Sequence, residues 1–309
     1  MAKPRNEKLD FLQYLALRVV HMMMHCWPIE LNLKFARGVG AMMFLIDKRH
    51  RKRAEHNIQR SFPHFSPRKV TAVARESVQQ MIMLFVEVLF TIRLVRIDTF
   101  TRYVQLGDFR RSLDMLLQRH RGLIMLTGHY GNWEILGYTL AVLGFPTVSV
   151  ARPLDNKYIN SWLLGVREKK GQQIVDKKGA TPVITAALEA AGTVGLIADQ
   201  NAGPKGLFVD FFGRKASTYK SIGLLAMQYD VPVVIGYARR VGTRFNFEIG
   251  VTDIIEPADW KSHDQPLHYI TQRYTKAIET FVTEDPAQYL WMHRRWKTRP
   301  KGEPPEAYD

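Results

Sequence analysis

The stretch Gly122-Leu-Ile-Met-Leu-Thr-Gly-His-Tyr-Gly-Asn-Trp-Glu134 decides the architecture of this chain. Gly122–Leu126 is a short apolar run, read as a buried strand. Ile135-Leu-Gly-Tyr-Thr-Leu-Ala-Val-Leu143 follows with a helical pattern. Asn132 is a good N-cap, which puts Trp133 and Glu134 in the first helical turn. His129 therefore stands at the exit of a strand, where α/β proteins place their ligands. Glu134 lies five positions further on. On one continuous helix of about 3.6 residues per turn the two side chains would face different ways. A turn at Tyr130-Gly131 lets the carboxylate point back at the imidazole instead. A carboxylate so placed fixes the tautomer and stabilises the imidazolium formed when the ring takes a proton. Spacing alone fits a structural histidine as well as a catalytic one.

Working outward, strand and helix signals alternate. Strands are expected at 122–126, 146–151, 173–175, 193–198, 231–238 and 245–251, and helices at 132–143, 156–170, 182–191, 217–229 and 263–283. Before them, 67–95 reads as one long helix and 107–119 as an amphipathic stretch. The fold class expected is α/β: a mixed, largely parallel sheet flanked by helices, with N-terminal membrane-associated helices. The domain expectation is a basic, apolar membrane-associated segment at 1–56, a catalytic domain at 57–302 and a mobile tail at 303–309.

The chain has 309 residues, of which 46% are hydrophobic, enough for a sizeable core. Its single cysteine, Cys26, excludes an internal disulfide framework and a thiolate-rich metal site. The net charge of +15 calls for an anionic partner. Residues 1–60 hold twelve Lys/Arg against five Asp/Glu, and 293–301 hold five Lys/Arg and no acid. Both clusters are interleaved with Trp, Phe, Leu and Met, which suits an anionic bilayer surface. The chain carries no nucleic-acid-binding motif, so nucleic acid is not an expected partner. The apolar segments 11–27 and 31–46 are interrupted by Arg18, His21, His25, Lys34 and Arg37. Neither reaches the roughly 18 to 20 apolar residues of a clear span, so both are read as helices in or on the cytoplasmic leaflet, with a single tilted span by the first, or core helices of a soluble domain, as the alternatives.

Further candidate groups sit at strand exits. Arg152 follows the strand ending at Ala151 and has the geometry to hold a phosphate or carboxylate, or to pair with Asp155 on the surface. Asp199-Gln200-Asn201 leaves the strand at 193–198; polar groups there are costly to bury without partners. Gly206-Leu-Phe-Val-Asp-Phe-Phe-Gly213 reads as an apolar loop lining an acyl channel or facing membrane, and equally as an edge hairpin over the core. Arg214 and Lys215 come next, and a helix start near Ser217 would make them part of an anion site. Absences matter too. The sequence has no Gly-x-Ser-x-Gly elbow, no Walker A, no Gly-x-Gly-x-x-Gly after a strand and no metal-ligand spacing. A base without a mounted covalent nucleophile favours direct attack by a substrate hydroxyl on an activated acyl donor.

Five blocks in order carry a family resemblance: Gly128-His-Tyr-Gly-Asn-Trp-Glu134, Arg152-Pro-Leu-Asp-Asn156, Asp199-Gln-Asn-Ala-Gly203, Val209-Asp-Phe-Phe-Gly-Arg-Lys-Ala-Ser-Thr218 and Trp291-Met-His-Arg-Arg-Trp-Lys-Thr-Arg-Pro300. With them the chain resembles the bacterial late acyltransferases of lipid A biosynthesis, within the lysophospholipid-acyltransferase-like group. The resemblance implies acyl transfer from acyl carrier protein to a hydroxyl of a phosphorylated glycolipid, at the cytoplasmic face of the inner membrane. It implies His129 as general base with Glu134 as its orienting partner, Arg152 as a phosphate-binding or intermediate-stabilising residue, and Asp199 with Gln200 near the acceptor. It implies no metal and no organic cofactor. Members of the wider group acylate other lipids, including mannosides, so the blocks leave the acceptor open, and the same transfer to lysophosphatidate, a mannolipid or another amphiphile is the second reading. A basic membrane-surface binding protein with a dead core would need only the charge and the amphipathic ends; polar residues at three strand exits argue against it.

Overall fold

The computed structural model describes residues 6–118, 120–168 and 171–304, with backbone alone at 166 and 167. Residues 1–5 of the expected basic segment and 305–309 of the expected tail lie outside the described residues. So do residue 119 and residues 169–170, at the ends of two expected helices.

In chain order the strands are β1 (Val104–Leu106), β2 (Leu123–Thr127), β3 (Thr147–Ala151), β4 (Gln173–Asp176), β5 (Thr193–Ile197), β6 (Leu207–Phe211), β7 (Arg214–Thr218), β8 (Val233–Arg240) and β9 (Phe247–Ile255). Seven of them form one sheet in the order β1-β9-β8-β2-β5-β3-β4, while β6 and β7 pair separately. Strands β8, β2, β5, β3 and β4 run parallel; β9 joins β8 antiparallel, and β1 adds alongside β9. The sheet is thus mixed and largely parallel. Strand β2 is buried along its whole length, as its unbroken apolar run requires for a central strand covered on both faces. Leu123 and Met125 belong to one core with Ile135 and Leu136, and Ile124 and Leu126 to the other with Ile278 and Phe281. The period-two alternation of the strand divides them.

Helices α1 (Glu7–His25), α2 (Ile29–Ile46), α3 (Lys48–Ser61) and α4 (Pro67–Leu94) come first. Helix α4 is long and apolar enough to cross a bilayer, but 56% of its apolar window is buried inside the protein. It packs against α2 and α3 and carries the fully buried Glu87, so it serves as a core helix. Helices α1 and α2 behave differently. Leu12, Val20, Met22 and Met23 on α1, and Phe35, Leu45 and Ile46 on α2, are exposed. Helices α5 (Arg110–Gln118), α6 (Trp133–Val142), α7 (Lys157–Glu168), α8 (Ala180–Glu189), α9 (Ser221–Tyr229), α10 (Pro257–Lys261) and α11 (Pro266–Glu284) complete the layers.

The segment after Gly206 departs from the loop expectation. Leu207–Phe211 and Arg214–Thr218 form an antiparallel hairpin, closed by Phe212 and Gly213 at φ +52° and +67°. Two consecutive left-handed residues make the tight turn whose twist suits a hairpin. Val209 and Phe211 face inward while Asp210 faces out. A period of two places these two side chains against the core, and α9 starts at Ser221 rather than Ser217.

Candidate active site

Strands β2 and β5 lie side by side in parallel register, with Thr127 opposite Ile197. Two residues beyond each partner, His129 and Asp199 come face to face. Nδ1 of His129 lies 2.7 Å from Asp199 Oδ1, and the backbone N–H of His129 donates to Oδ2 at 2.9 Å. Asp199 thus holds both the ring and the main chain of the histidine. At Gly128 a Cβ would crowd the Ile278 side chain at 3.2 Å, while its 3.5 Å approach to the Asp199 carboxylate would be ordinary contact. The side chain of Asp199 is 1% exposed and that of His129 15%. Burial pushes the Asp199 carboxyl up, but the charge and hydrogen bonds of His129, with the charge of His293 beyond, outweigh it and hold the group well below the usual carboxylate range. An ionised acceptor on Nδ1 keeps the proton there and leaves the Nε2 lone pair as the basic atom. Nε2 faces the side-chain amide of Gln200 at 3.4 Å.

The turn that carries His129 is fixed from beneath. Gly131 has φ +54°, and a Cβ there would lie 2.0 Å from the carbonyl oxygen of Ala238. The Gly131 N–H donates to the Gln288 carbonyl at 3.0 Å, and the Asn132 N–H to that of Ala238 at 2.9 Å. Asn132 caps α6 through Ile135 N–H and donates its amide to Glu87 Oε2 at 2.9 Å. Arg240 Nε donates to the other oxygen of Glu87 at 2.7 Å. Gln288 closes the network by exchanging two hydrogen bonds with the Arg240 backbone. Removing one partner from such a buried pair leaves a desolvated charge, a loss of about 3–5 kcal/mol.

The His129 ring is flanked edge-on by Trp133 at 5.0 Å and His293 at 4.8 Å between centroids. Burial, reinforced by the charge of His129, lowers the His293 imidazole to about 4. His293 therefore stands neutral beside the base near pH 7. Its segment is pinned by Asn57, whose amide donates to the carbonyls of Trp291 and His293 at 2.8 and 3.1 Å. Neither His293 nor Asn57 was among the residues expected to act here.

A cavity of about 560 Å³ opens next to the histidine. Leu17 of α1, Leu84, Phe85 and Val88 of α4, and Trp162 and Leu163 of α7 form its apolar walls. Trp133 and Leu290 are the wall beside His129; the Leu290 N–H donates to the His129 carbonyl. A narrower pocket of about 120 Å³ runs on between α6 and the sheet, past Gly137 and Leu140 to Ser149 and Gln172. Trp133, Glu134, Ala151 and Ile174 line both spaces and join them.

The expected site residues are distributed as follows. The carboxylate on Nδ1 of His129 is Asp199, in the place the sequence assigned to Glu134; the start of α6 turns Glu134 into the cavity junction. Arg152 lines the cavity rim, 83% exposed and 3.6 Å from Asp155. Arg214 and Lys215 belong to β7 rather than to a helix start, and neither lines the cavity. Arg214 is buried under Trp296 at 3.5 Å and donates to Ser61 Oγ at 3.0 Å, tying the hairpin to α3. Lys215 pairs across the hairpin with Asp210 at 3.1 Å. Among the described residues no three His, Cys, Asp or Glu side chains gather to hold a metal ion.

A hydrogen-bonded His–Asp pair beside a hydrocarbon-lined cavity suits an enzyme that acts on lipid chains. Comparison with known proteins narrows that class. Residues 2–298 match the family described as "Bacterial lipid A biosynthesis acyltransferase". A lipid A biosynthesis acyltransferase of Haemophilus influenzae is 25% identical over 289 residues, covering 91% of this chain and 86% of that protein. The lipid A biosynthesis lauroyltransferase of Escherichia coli strain K12 is 25% identical over 299 residues, 95% of this chain and 94% of its own. The palmitoleoyltransferase of the same organism is 24% identical over 271 residues, 86% and 84%. The chain belongs to the bacterial lipid A biosynthesis acyltransferase family.

Proposed function

We propose that the protein transfers a fatty acyl chain from the thioester of acyl carrier protein to a hydroxyl of a phosphorylated lipid A-type glycolipid, without a covalent enzyme intermediate. His129 Nε2 removes the hydroxyl proton as the alkoxide oxygen attacks the thioester carbonyl. The tetrahedral intermediate collapses, the carbon–sulfur bond breaks, and the proton passes from His129 to the departing thiolate. Asp199 holds the imidazole by Nδ1 and stabilises its cationic form. Glu134, at the joint between the two apolar spaces, is the second carboxylate of the site and positions the acceptor. Arg152, on the rim with its side chain in solvent, contacts acceptor phosphate.

The observation that carries this reading is the His129–Asp199 pair at 2.7 Å beside a cavity of about 560 Å³ with hydrocarbon walls. The surface agrees with it. Exposed apolar side chains lie on α1 and α2, and α2 packs against α3, which begins Lys48-Arg-His-Arg-Lys-Arg53. That combination suits peripheral attachment to the anionic cytoplasmic leaflet of the inner membrane. The remaining net positive charge steers an acidic carrier protein, less strongly as salt rises. The test is incubation of the purified protein with acyl carrier protein thioester and a phosphorylated glycolipid. The acceptor gains one acyl mass with wild type and none with His129→Ala; equal acylation by both overturns the proposal.

A further inference from the structure

A second apolar pocket, of about 230 Å³, lies at the elbow between α2 and α3. Its walls are Met43, Phe44, Val78, Met81 and Met292. Three methionines give it unbranched, adaptable walls suited to a flexible chain. Its rim is polar: Asp47, His50 and Arg51, with His50 Nδ1 2.6 Å from the Asp47 carboxylate and Arg51 lying over the Phe44 ring.

Three placements give the pocket a function. Met43 is itself 37% exposed, and Ile46, three residues on along the same side of α2, is 70% exposed, so the pocket lies beside the surface suited to a bilayer. Lys48, Arg49 and Lys52 are exposed on the first turns of α3, next in sequence to the rim residues Asp47, His50 and Arg51, and suit anionic headgroups. Met81 lines both this pocket and the large cavity, and Met292 directly precedes His293, whose ring touches His129. The elbow pocket thus adjoins the large cavity at Met81 and lies one residue from the ring that flanks the base.

We propose that this elbow pocket holds one pre-existing acyl tail of the anionic glycolipid acceptor while the large cavity holds the chain being transferred. This deepens the acyltransferase reading and rests on it. The separation follows from chemistry: an acceptor that already carries tails and a donor chain must both reach one imidazole, and a single cavity would make them compete. The basic first turns of α3 then select a phosphorylated headgroup over a neutral one.

The test is photolabelling, which needs no turnover. The full-length protein is bound to phosphatidylcholine vesicles containing an alkyl phosphate with a diazirine at the tail end, and labelled residues are mapped by peptide mass spectrometry. Label is expected on Met43, Phe44 or Met292. Met43→Trp, which fills the pocket, lowers that label about tenfold or more, whereas Leu45→Trp on the outer face leaves it. Lys48→Glu with Lys52→Glu lowers it as well. A tail-acylated glucosamine phosphate displaces the label; inorganic phosphate does not. Label confined to the large cavity or to the outer face of α2 overturns the proposal. So does equal labelling by a maltoside with the same tail, or equal displacement by phosphatidylglycerol. Absence of acyl transfer alongside elbow labelling would count against the catalytic reading instead, and elbow labelling missing from an active enzyme against this one.

Discussion

Replacing Asp199 with Asn keeps the size of the side chain and removes its charge. In the native protein this carboxylate accepts from the His129 ring at 2.7 Å and from the His129 backbone at 2.9 Å, with its side chain 1% exposed. The charge and hydrogen bonds of His129 hold it below the usual carboxylate range despite its burial, so it is ionised near pH 7. An amide in its place offers a neutral acceptor or, flipped, an N–H that forces the wrong tautomer on the ring. A hydrogen bond to a charged group contributes about 1.5–3 kcal/mol net, and loss of imidazolium stabilisation adds to this in the transition state. In Ser-His-Asp enzymes the equivalent change lowers kcat by about 10⁴. Here the acceptor is a hydroxyl on the substrate and the donor an activated thioester, so the expected fall in kcat is about 10²–10⁴, or about 3–5 kcal/mol of barrier. The assay is initial-rate acyl transfer from radiolabelled acyl carrier protein at saturating glycolipid, with circular dichroism confirming the fold. Glu134→Gln is assayed alongside and is expected to raise KM for the acceptor more than it lowers kcat. If Asp199→Asn retains kcat within about tenfold of wild type while Glu134→Gln loses it, the carboxylate acting on the base is Glu134 and the reasoning from the strand register is refuted.

Gly131→Ala places a Cβ 2.0 Å from the Ala238 carbonyl at a φ of +54°; loss of more than about 2 kcal/mol of stability and of activity together is expected, read by urea unfolding and rate. His293, lowered from 6.5 to about 4, is neutral in the folded protein and protonated when unfolded between those values. The unfolded state then binds the extra proton, so stability falls as pH drops through about 6.5 and the loss saturates near 4, at about 3 kcal/mol; His293→Gln removes this part of the pH slope in denaturant titrations. Enlarging Gly137, where a Cβ would already lie 2.6 Å from Gln172 Nε2, blocks the inner pocket of about 120 Å³. Gly137→Val should shift donor preference toward shorter acyl chains, measured by competition between thioesters of different length, and an unchanged preference would remove that pocket from the acyl path.

The architecture was legible because β2 and its neighbours follow simple periodicities. An unbroken apolar run means a strand buried on both faces, and each strand exit carried polar residues that a core would not tolerate. His129 was legible for the same reason. Its partner was not. Asp199 is seventy positions away, and only the adjacency of β2 and β5 puts two residues past Thr127 opposite two residues past Ile197. Order along the chain does not reveal order within a parallel sheet, so Glu134, near in sequence, appeared the natural partner. Arg214 misled for a related reason: a basic residue before Ser and Thr reads equally as a helix start or a strand, and here cross-strand pairing and the face of Trp296 decide it. His293 stood in the Trp291–Pro300 block, but nothing in that block or around Asn57 pointed to the imidazole, since the site gathers them from helix α3 and the C-terminal segment through tertiary packing.

The most direct measurement of the central claim is single-turnover transfer by wild type, His129→Ala and Asp199→Asn, each incubated with acyl carrier protein thioester and a phosphorylated glycolipid and quenched for mass spectrometry of lipid and protein. Wild type should convert the glycolipid to a species heavier by one acyl group, with no acyl mass on the protein at any time; His129→Ala should show no conversion and Asp199→Asn a strongly slowed one. An acylated protein on the productive path, or undiminished transfer by His129→Ala, would contradict direct attack by a substrate hydroxyl on a donor thioester under base catalysis by His129.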